Sequence, residues 1–341
     1  MKAMAIVRLG PVDGRSDPLA ATDRPAPEPR EGEALLRVTA CGVCHTELDE
    51  IEGRTPPPRL PVIPGHQVVG RVAGRGRGVT SLKEGDRVGV GWIHSACGRC
   101  PACLSGRENL CPDFRATGRD ADGGYAEFMT APAAFVVPVP AALPDLEAAP
   151  LLCAGAVGWR ALRLAGLADG QTLGLTGFGA SGHLVLKAAR FRWPGLRVHV
   201  FARSAEERAF ARELGAAWTG DTEDAPPEPL DAIIDTTPAW KPVLAALRAL
   251  APGGRLIVNA IRKEDGDKDA WRSLDYPTHL WMEKSLQSVA NVTRRDMAEF
   301  LALAAEAGLR PDIEVYPFAK ANEALRDLKA RRLRGAKVLK I

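Results

Sequence analysis

Four of the chain's seven cysteines, Cys97, Cys100, Cys103 and Cys111, stand three, three and eight residues apart. Short C-x2-C loops let a chain wrap a metal ion closely enough to set four thiolates at about 2.3 Å in a tetrahedron, which is the preference of zinc. The alternatives are packed core thiols or two disulfides. Both fit poorly, because Gly98, Arg99, Pro101, Ala102, Ser105, Gly106, Arg107, Glu108 and Asn109 surround these thiols and offer no apolar face. A closed four-cysteine zinc site of this kind braces a lobe and performs no chemistry.

Outside the ladder remain Cys41, Cys44 and Cys153, with His45 and His66. Two thiolates and one imidazole would suit a catalytic zinc, which keeps one position open for water or substrate. No spacing rule alone brings these segments together.

A third constellation is the run Gly177, Phe178, Gly179, Ala180, Ser181, Gly182, a G-x-G-x-x-G that follows an expected strand and opens an expected helix. Glycine at the first two positions permits a tight turn and close approach of a pyrophosphate, whose charge the helix amides stabilise; the third allows close helix–strand packing. About twenty residues on, where an NAD site carries an acid for the ribose hydroxyls, the chain has Ala202, Arg203 and Ser204. A carboxylate there would repel a 2′-phosphate, so its absence beside an arginine favours NADP(H). Ser204 with Glu207 also makes a capping box, and Arg203 has the alternative of lying across the adenine or pointing to water.

The elements that must position these groups form two domains, the expectation for 341 residues. Up to about Pro150, apolar runs at 34–40, 67–73, 86–91 and 126–139 punctuated by Gly and Pro read as a β-rich domain. From there the pattern alternates strands (172–176, 197–202, 232–235, 255–260) with helices (181–191, 205–214, 241–250), which predicts a doubly wound parallel sheet. Gly215 and Pro252–Gly253 are expected to stop two of those helices, and 265–269 to be a solvated charged loop. Beyond about Lys284 a strand, a helix capped by Thr293 and Asp296, and a final strand close the chain.

Hydrophobic content of 46% and charged content of 26% describe a globular chain, and a net charge of +3 with no aromatic residues among Arg71, Arg75 and Arg77 gives no nucleic-acid signature. No apolar run approaches a membrane span, and Met1–Gly10 lacks the features of a secretory signal, so the expected address is the cytoplasm.

With these motifs in hand, the sequence resembles the zinc-containing alcohol dehydrogenases of the medium-chain dehydrogenase/reductase family over practically its whole length. The resemblance implies an α/β protein with a β-rich GroES-like catalytic domain, 1–152 and 288–341, and a Rossmann domain, 153–287. It implies two zinc ions per chain: a catalytic one on Cys44, His66 and Cys153, and a structural one on Cys97, Cys100, Cys103 and Cys111. Cys41 is left as a packed thiol. By the same resemblance Thr46 hydrogen-bonds the alcohol, Glu47 orients the His66 ring, His45 meets the cofactor phosphates, Trp92 lines the substrate pocket, and Gly177 to Gly182 hold the pyrophosphate.

Two departures stand out. Gln67 occupies a position where relatives commonly have Glu, so it supplies no negative charge. Asp49 replaces a relay histidine, and a carboxylate with a pKa near 4 is a poorer proton acceptor at pH 7 than an imidazole. Lys337 lies one place off a common basic cofactor contact and is not assigned.

The implied activity is interconversion of an alcohol and its aldehyde or ketone by hydride transfer to or from NAD(P), with zinc as Lewis acid. The alternatives are a reductase that consumes NADPH and, from another class, a weakly active nucleotide-binding sensor or scaffold. A small alcohol or carbonyl substrate, no nucleic-acid or membrane partner, and a homodimer or homotetramer complete the expectation.

Overall fold

The computed structural model describes residues 1–13, 17–330 and 335–341. The chain divides into two compact units, 1–156 with 291–341, and 157–290. Cys153 therefore belongs to the first unit, three residues before the division.

The first unit is built on a seven-stranded sheet ordered Ile313–Pro317, Ala336–Lys340, Glu33–Val43, Val68–Arg75, Arg87–Val90, Val137–Pro138, with Phe128–Pro132 also paired to Glu33–Val43. The Glu33–Val43 strand is long because its two halves take different partners on one edge, Phe128–Pro132 beside its start and Ala336–Lys340 beside its end. Its alternating residues Leu36 and Val38 join Ile6, Val68, Val72, Tyr125 and Leu339 in the core. The run 126–139, expected as one strand, is broken into two short strands by the turn at Ala133–Phe135, which Pro132 enters; proline cannot donate to a ladder there.

A helix at Ala321–Lys329 was not anticipated between the last two strands. Ala321, Ala324, Leu325 and Leu328 make its buried face, a helical spacing hidden in a charged stretch. The helix Arg294–Glu306 opens on the expected capping box, with the Asp296 amide donating to Thr293 Oγ1 at 3.2 Å and the Thr293 amide donating to Asp296 Oδ2 at 2.8 Å.

The second unit is a six-stranded all-parallel sheet ordered Trp218–Gly220, Arg197–Phe201, Thr172–Thr176, Leu230–Asp235, Leu250–Val258, Ser285–Ser288. In chain order this is 3-2-1-4-5-6, the Rossmann arrangement, whose order reverses between Thr172–Thr176 and Leu230–Asp235.

Two local expectations are corrected. The Lys241–Ala249 helix ends before Pro252–Gly253, which lie inside the Leu250–Val258 strand beside a register shift. The 265–269 segment is no free loop: it begins a 3-10 stretch, Asp265–Ser273, and the Asp267 carboxylate accepts the Trp240 and Lys241 amides at 2.8–3.0 Å, capping the Lys241–Ala249 helix. Among the described residues no helix is long and apolar enough to cross a membrane.

Candidate active site and metal centres

Strand register explains how distant residues meet. Cys41 pairs with Val68 across antiparallel strands, and the Gly42 amide donates to the Gln67 carbonyl at 2.9 Å. The residues just beyond those pairs, Cys44 and His66, are therefore neighbours. Gly65 makes the turn before His66 with φ +99°, and a Cβ there would lie 2.3 Å from the Tyr125 ring. The third residue, Cys153, comes from a wide π turn at Leu151–Gly155, directly after Pro150, which has no amide to continue the helical ladder. A Cβ at Gly155 would sit 2.1 Å from the Phe300 ring, so that turn is held against packed aromatic core.

The Cys44 and Cys153 thiols and the His66 ring bring one donor atom each to within 4.8 Å of one another. His66 Nε2 is 3.3 Å from Cys153 Sγ, while Nδ1 is 2.6 Å from Glu47 Oε1. Glu47 also accepts the Cys44 amide at 2.7 Å and so pins the ring and the start of the His45–Ile51 helix together. Pairing at Nδ1 leaves the Nε2 lone pair facing the thiols, free to ligate a metal. The Cys153 hydrogen bond is chief in lowering the Cys44 thiol well below its ordinary range, against burial, and Cys153 is pushed up in return. Two thiols and an imidazole, with the buried carboxyl of Glu47 against the ring, fit a divalent zinc ion.

Thr46 Oγ1 lies 3.5 Å from Cys44 Sγ, and the Trp92 ring stands edge-on to His66 with centroids 6.4 Å apart. His45 is exposed at the start of its helix. Cys41 is fully buried and its thiol is pushed up by burial, as suits a packed residue.

The four-cysteine group also gathers its donors within 4.8 Å. Cys97 Sγ and Cys103 Sγ are 4.0 Å apart, too far for a disulfide and near the edge of about 3.8 Å that a tetrahedron with 2.3 Å bonds requires. All seven cysteines are free thiols, and the Arg99 and Cys100 amides hold the Cys97 thiol down to about 6. The set fits a closed zinc site.

In the second unit Gly177 turns with φ +81°, Gly179 has open space where a Cβ would stand, and a Cβ at Gly182 would meet the Gly177 carbonyl at 2.7 Å. These are the turn, the room for a phosphate and the close helix–strand approach that the motif requires. No side chain caps the Ala180–Arg192 helix at Gly179, which leaves its first amides to an anion. Phe178 points inward and packs on Phe210 at 5.6 Å.

Residues 30–141 match the family described as the alcohol dehydrogenase GroES-like domain, and 205–339 match the family described as zinc-binding dehydrogenase. A probable alcohol dehydrogenase, AdhA of Mycobacterium tuberculosis, is 44% identical over 100% of this chain and 97% of its own. The chain belongs to the zinc-containing alcohol dehydrogenases of the medium-chain dehydrogenase/reductase family. It is an oxidoreductase acting on CH–OH groups, with zinc and a nicotinamide cofactor. A cinnamyl alcohol dehydrogenase of Sorghum bicolor superposes with a TM-score of 0.84 at 31% identity, covering 99% of this chain and 97% of that one. A solved NAD-dependent alcohol dehydrogenase gives 0.88 at 26% identity with 100% of both chains covered.

In this dehydrogenase Ala202 is buried at the end of the second strand, and its carbonyl and that of Arg203 accept from the Arg208 guanidinium at 2.6 and 2.9 Å. Arg208 was not singled out from sequence; an arginine four residues past a helix cap carried no distinguishing signal. Ser204 is occupied as a cap, accepting the Glu207 amide at 3.2 Å, whereas the Arg203 side chain is exposed. Asp49 is engaged by Arg54 Nε at 2.5 Å, and Gln67 packs over Gly42. Lys337 is buried in an internal cluster, bonding Glu314 and the Tyr316 hydroxyl. Glu50, buried beside the first metal group, was also missed, since a lone glutamate on a short helix reads as solvated.

Proposed function

We propose that alcohol and carbonyl are interconverted at a catalytic zinc held by Cys44, His66 and Cys153, that a second zinc is held by Cys97, Cys100, Cys103 and Cys111, and that the preferred cofactor is NADP(H). The observation that carries the first part is a three-donor cluster, two half-buried thiols and a buried imidazole, that is incomplete as a tetrahedron, whereas the four-cysteine cluster is complete. Held by Cys44, His66 and Cys153, zinc would supply Lewis-acid polarisation of the substrate oxygen, and a nicotinamide on the Gly177–Gly182 loop would supply the hydride chemistry.

The chain's own residues do the rest. Glu47 fixes the His66 ring and its tautomer. Thr46, next to Cys44 Sγ, hydrogen-bonds the substrate hydroxyl and passes its proton onward. Asp49 is committed to Arg54, so the relay that a histidine would provide is absent and the proton reaches water directly. Trp92, edge-on to His66, lines the substrate pocket and excludes water. His45 and the Gly177–Gly182 loop bind the cofactor phosphates. A scaffold role has no use for an incomplete donor set.

For the cofactor, the reading is supported by a buried Ala202 where an acid would stand and by the exposed Arg203 next to it; Arg208 is already paired with Asp221 at 3.7 Å and contributes no free charge. Ala202→Asp should lower kcat/KM with NADP(H) by roughly tenfold or more relative to NAD(H), the scale of one charge–charge contact in a partly buried site. Reduction and oxidation rates followed at 340 nm with both cofactors measure that ratio, and an unchanged ratio rules the preference out.

Self-association is supported by the edge strand Ser285–Ser288, exposed throughout, with Leu286, Trp281, Met282 and Tyr276 exposed nearby. An uncovered strand edge with apolar side chains nearby is a template for pairing with a second copy. Light scattering should give at least twice 36.4 kDa for the native protein, and Leu286→Lys should reduce it to a single chain; a wild-type monomer contradicts this reading.

A further inference from the structure

Glu50 is fully buried, and neither carboxylate oxygen has a hydrogen-bond partner among the described residues. It follows Thr46 by four residues on the His45–Ile51 helix, so the two share a helix face about 5–6 Å apart at Cβ. That helix is capped by Cys44, and Glu47, one turn before Glu50, is 2.6 Å from the His66 ring, so Glu50 lies on the element that carries the metal cluster. Arg119 does not satisfy it: that guanidinium grips Asp120 with bonds of 3.0 and 2.8 Å and lies over the Trp92 ring. Burial pushes the Glu50 carboxyl well above the usual carboxylate range, with Glu47 adding to the shift.

A buried carboxyl left unpaired costs on the order of a few kcal/mol whether it is ionised or protonated, because either form still wants a hydrogen-bond partner. A zinc ion in the cluster would offset charge at a distance but would donate no hydrogen bond to those oxygens. A site containing such a group discriminates in favour of a substrate whose own hydrogen-bonding group completes it.

Resting on the catalytic reading above, we infer that Glu50 is a specificity-determining residue that receives a second hydroxyl of the substrate, making this a dehydrogenase of diols or related polyhydroxy alcohols. The neighbouring Arg119 charge disfavours an ammonium group as the donor, which leaves a neutral hydroxyl. The single helical turn between Thr46 and Glu50 matches the reach of a 1,3- or 1,4-diol better than that of a vicinal one.

The test compares butan-1-ol with butane-1,2-, 1,3- and 1,4-diol in the zinc-loaded protein, as wild type, Glu50→Gln and Glu50→Leu, with Tm recorded for each. Wild type should favour the 1,3- or 1,4-diol over butan-1-ol by about tenfold or more in kcat/KM. Glu50→Gln, which still hydrogen-bonds, should keep most of that preference. Glu50→Leu should abolish it by losing the diol while keeping butan-1-ol, with an unchanged or higher Tm. Equal efficiencies in the wild type overturn the inference even if the leucine variant does not fold, as does a folded Glu50→Leu with the wild-type ratio. Absence of turnover on every alcohol would instead overturn the catalytic reading itself.

Discussion

Cys44→Ala should leave a folded protein that holds one zinc ion per chain where the wild type should hold two, with alcohol turnover lowered by about a thousandfold or more. A metal that polarises the reacting oxygen supplies several kcal/mol of transition-state stabilisation, and each 1.4 kcal/mol or so is a factor of ten. The fold should survive, because the Cys44 side chain adds a cap contact to a seven-residue helix and thiol contacts to Thr46 and Cys153, together a contribution of about 1–2 kcal/mol. The four-cysteine group is built from a separate loop and should keep its metal. Metal analysis beside turnover at 340 nm reads both quantities. Two zinc ions with full turnover would show that Cys44 ligates nothing.

Lys263→Met should destabilise the nucleotide-binding unit by about 3–5 kcal/mol, the cost of leaving one partner of a buried ion pair alone. Asp235 is fully buried at the end of a central strand and ion-pairs with Lys263 Nζ. Nζ also donates to the Thr237 and Ala239 carbonyls at 2.7 and 3.0 Å, and Asp235 Oδ1 accepts from Thr176 Oγ1 at 2.8 Å and Thr237 Oγ1 at 2.7 Å. The network therefore ties the ends of the Thr172–Thr176 and Leu230–Asp235 strands at the point where strand order reverses. Denaturant unfolding should show the loss as a lower midpoint. Replacing both partners by apolar residues of similar size should recover much of it. A midpoint unmoved by Lys263→Met would mean that the pair carries no stability.

What was legible in the sequence was local. The cysteine ladder announces its own geometry because four ligands lie within fifteen consecutive residues, and Gly177, Gly179 and Gly182 each meet the steric need their spacing predicts. The Thr293–Asp296 cap was equally plain. The Cys44–His66–Cys153 cluster came only through family resemblance, since it depends on the Cys41–Val68 register and on a π turn after Pro150, neither of which residue spacing encodes.

Misreadings arose where tertiary contact overrode composition. Pro252–Gly253 looks like a helix stop yet lies in a strand, and Asp267 looks solvated yet caps a helix. The buried groups Glu50, Asp235 and Lys263 could not be found from sequence at all, because charged residues are expected outside and only packing reveals the exception.

The most direct test of the open catalytic site is the visible spectrum of protein in which cobalt replaces zinc, because zinc is spectroscopically silent and cobalt bands report coordination. Two cobalt ions per chain are predicted, with bands from one of them shifting when an alcohol and oxidised cofactor are added, and with that responsive set missing from Cys44→Ala. Cobalt bands that stay unmoved by alcohol in a protein that still turns over would contradict a catalytic metal at Cys44, His66 and Cys153.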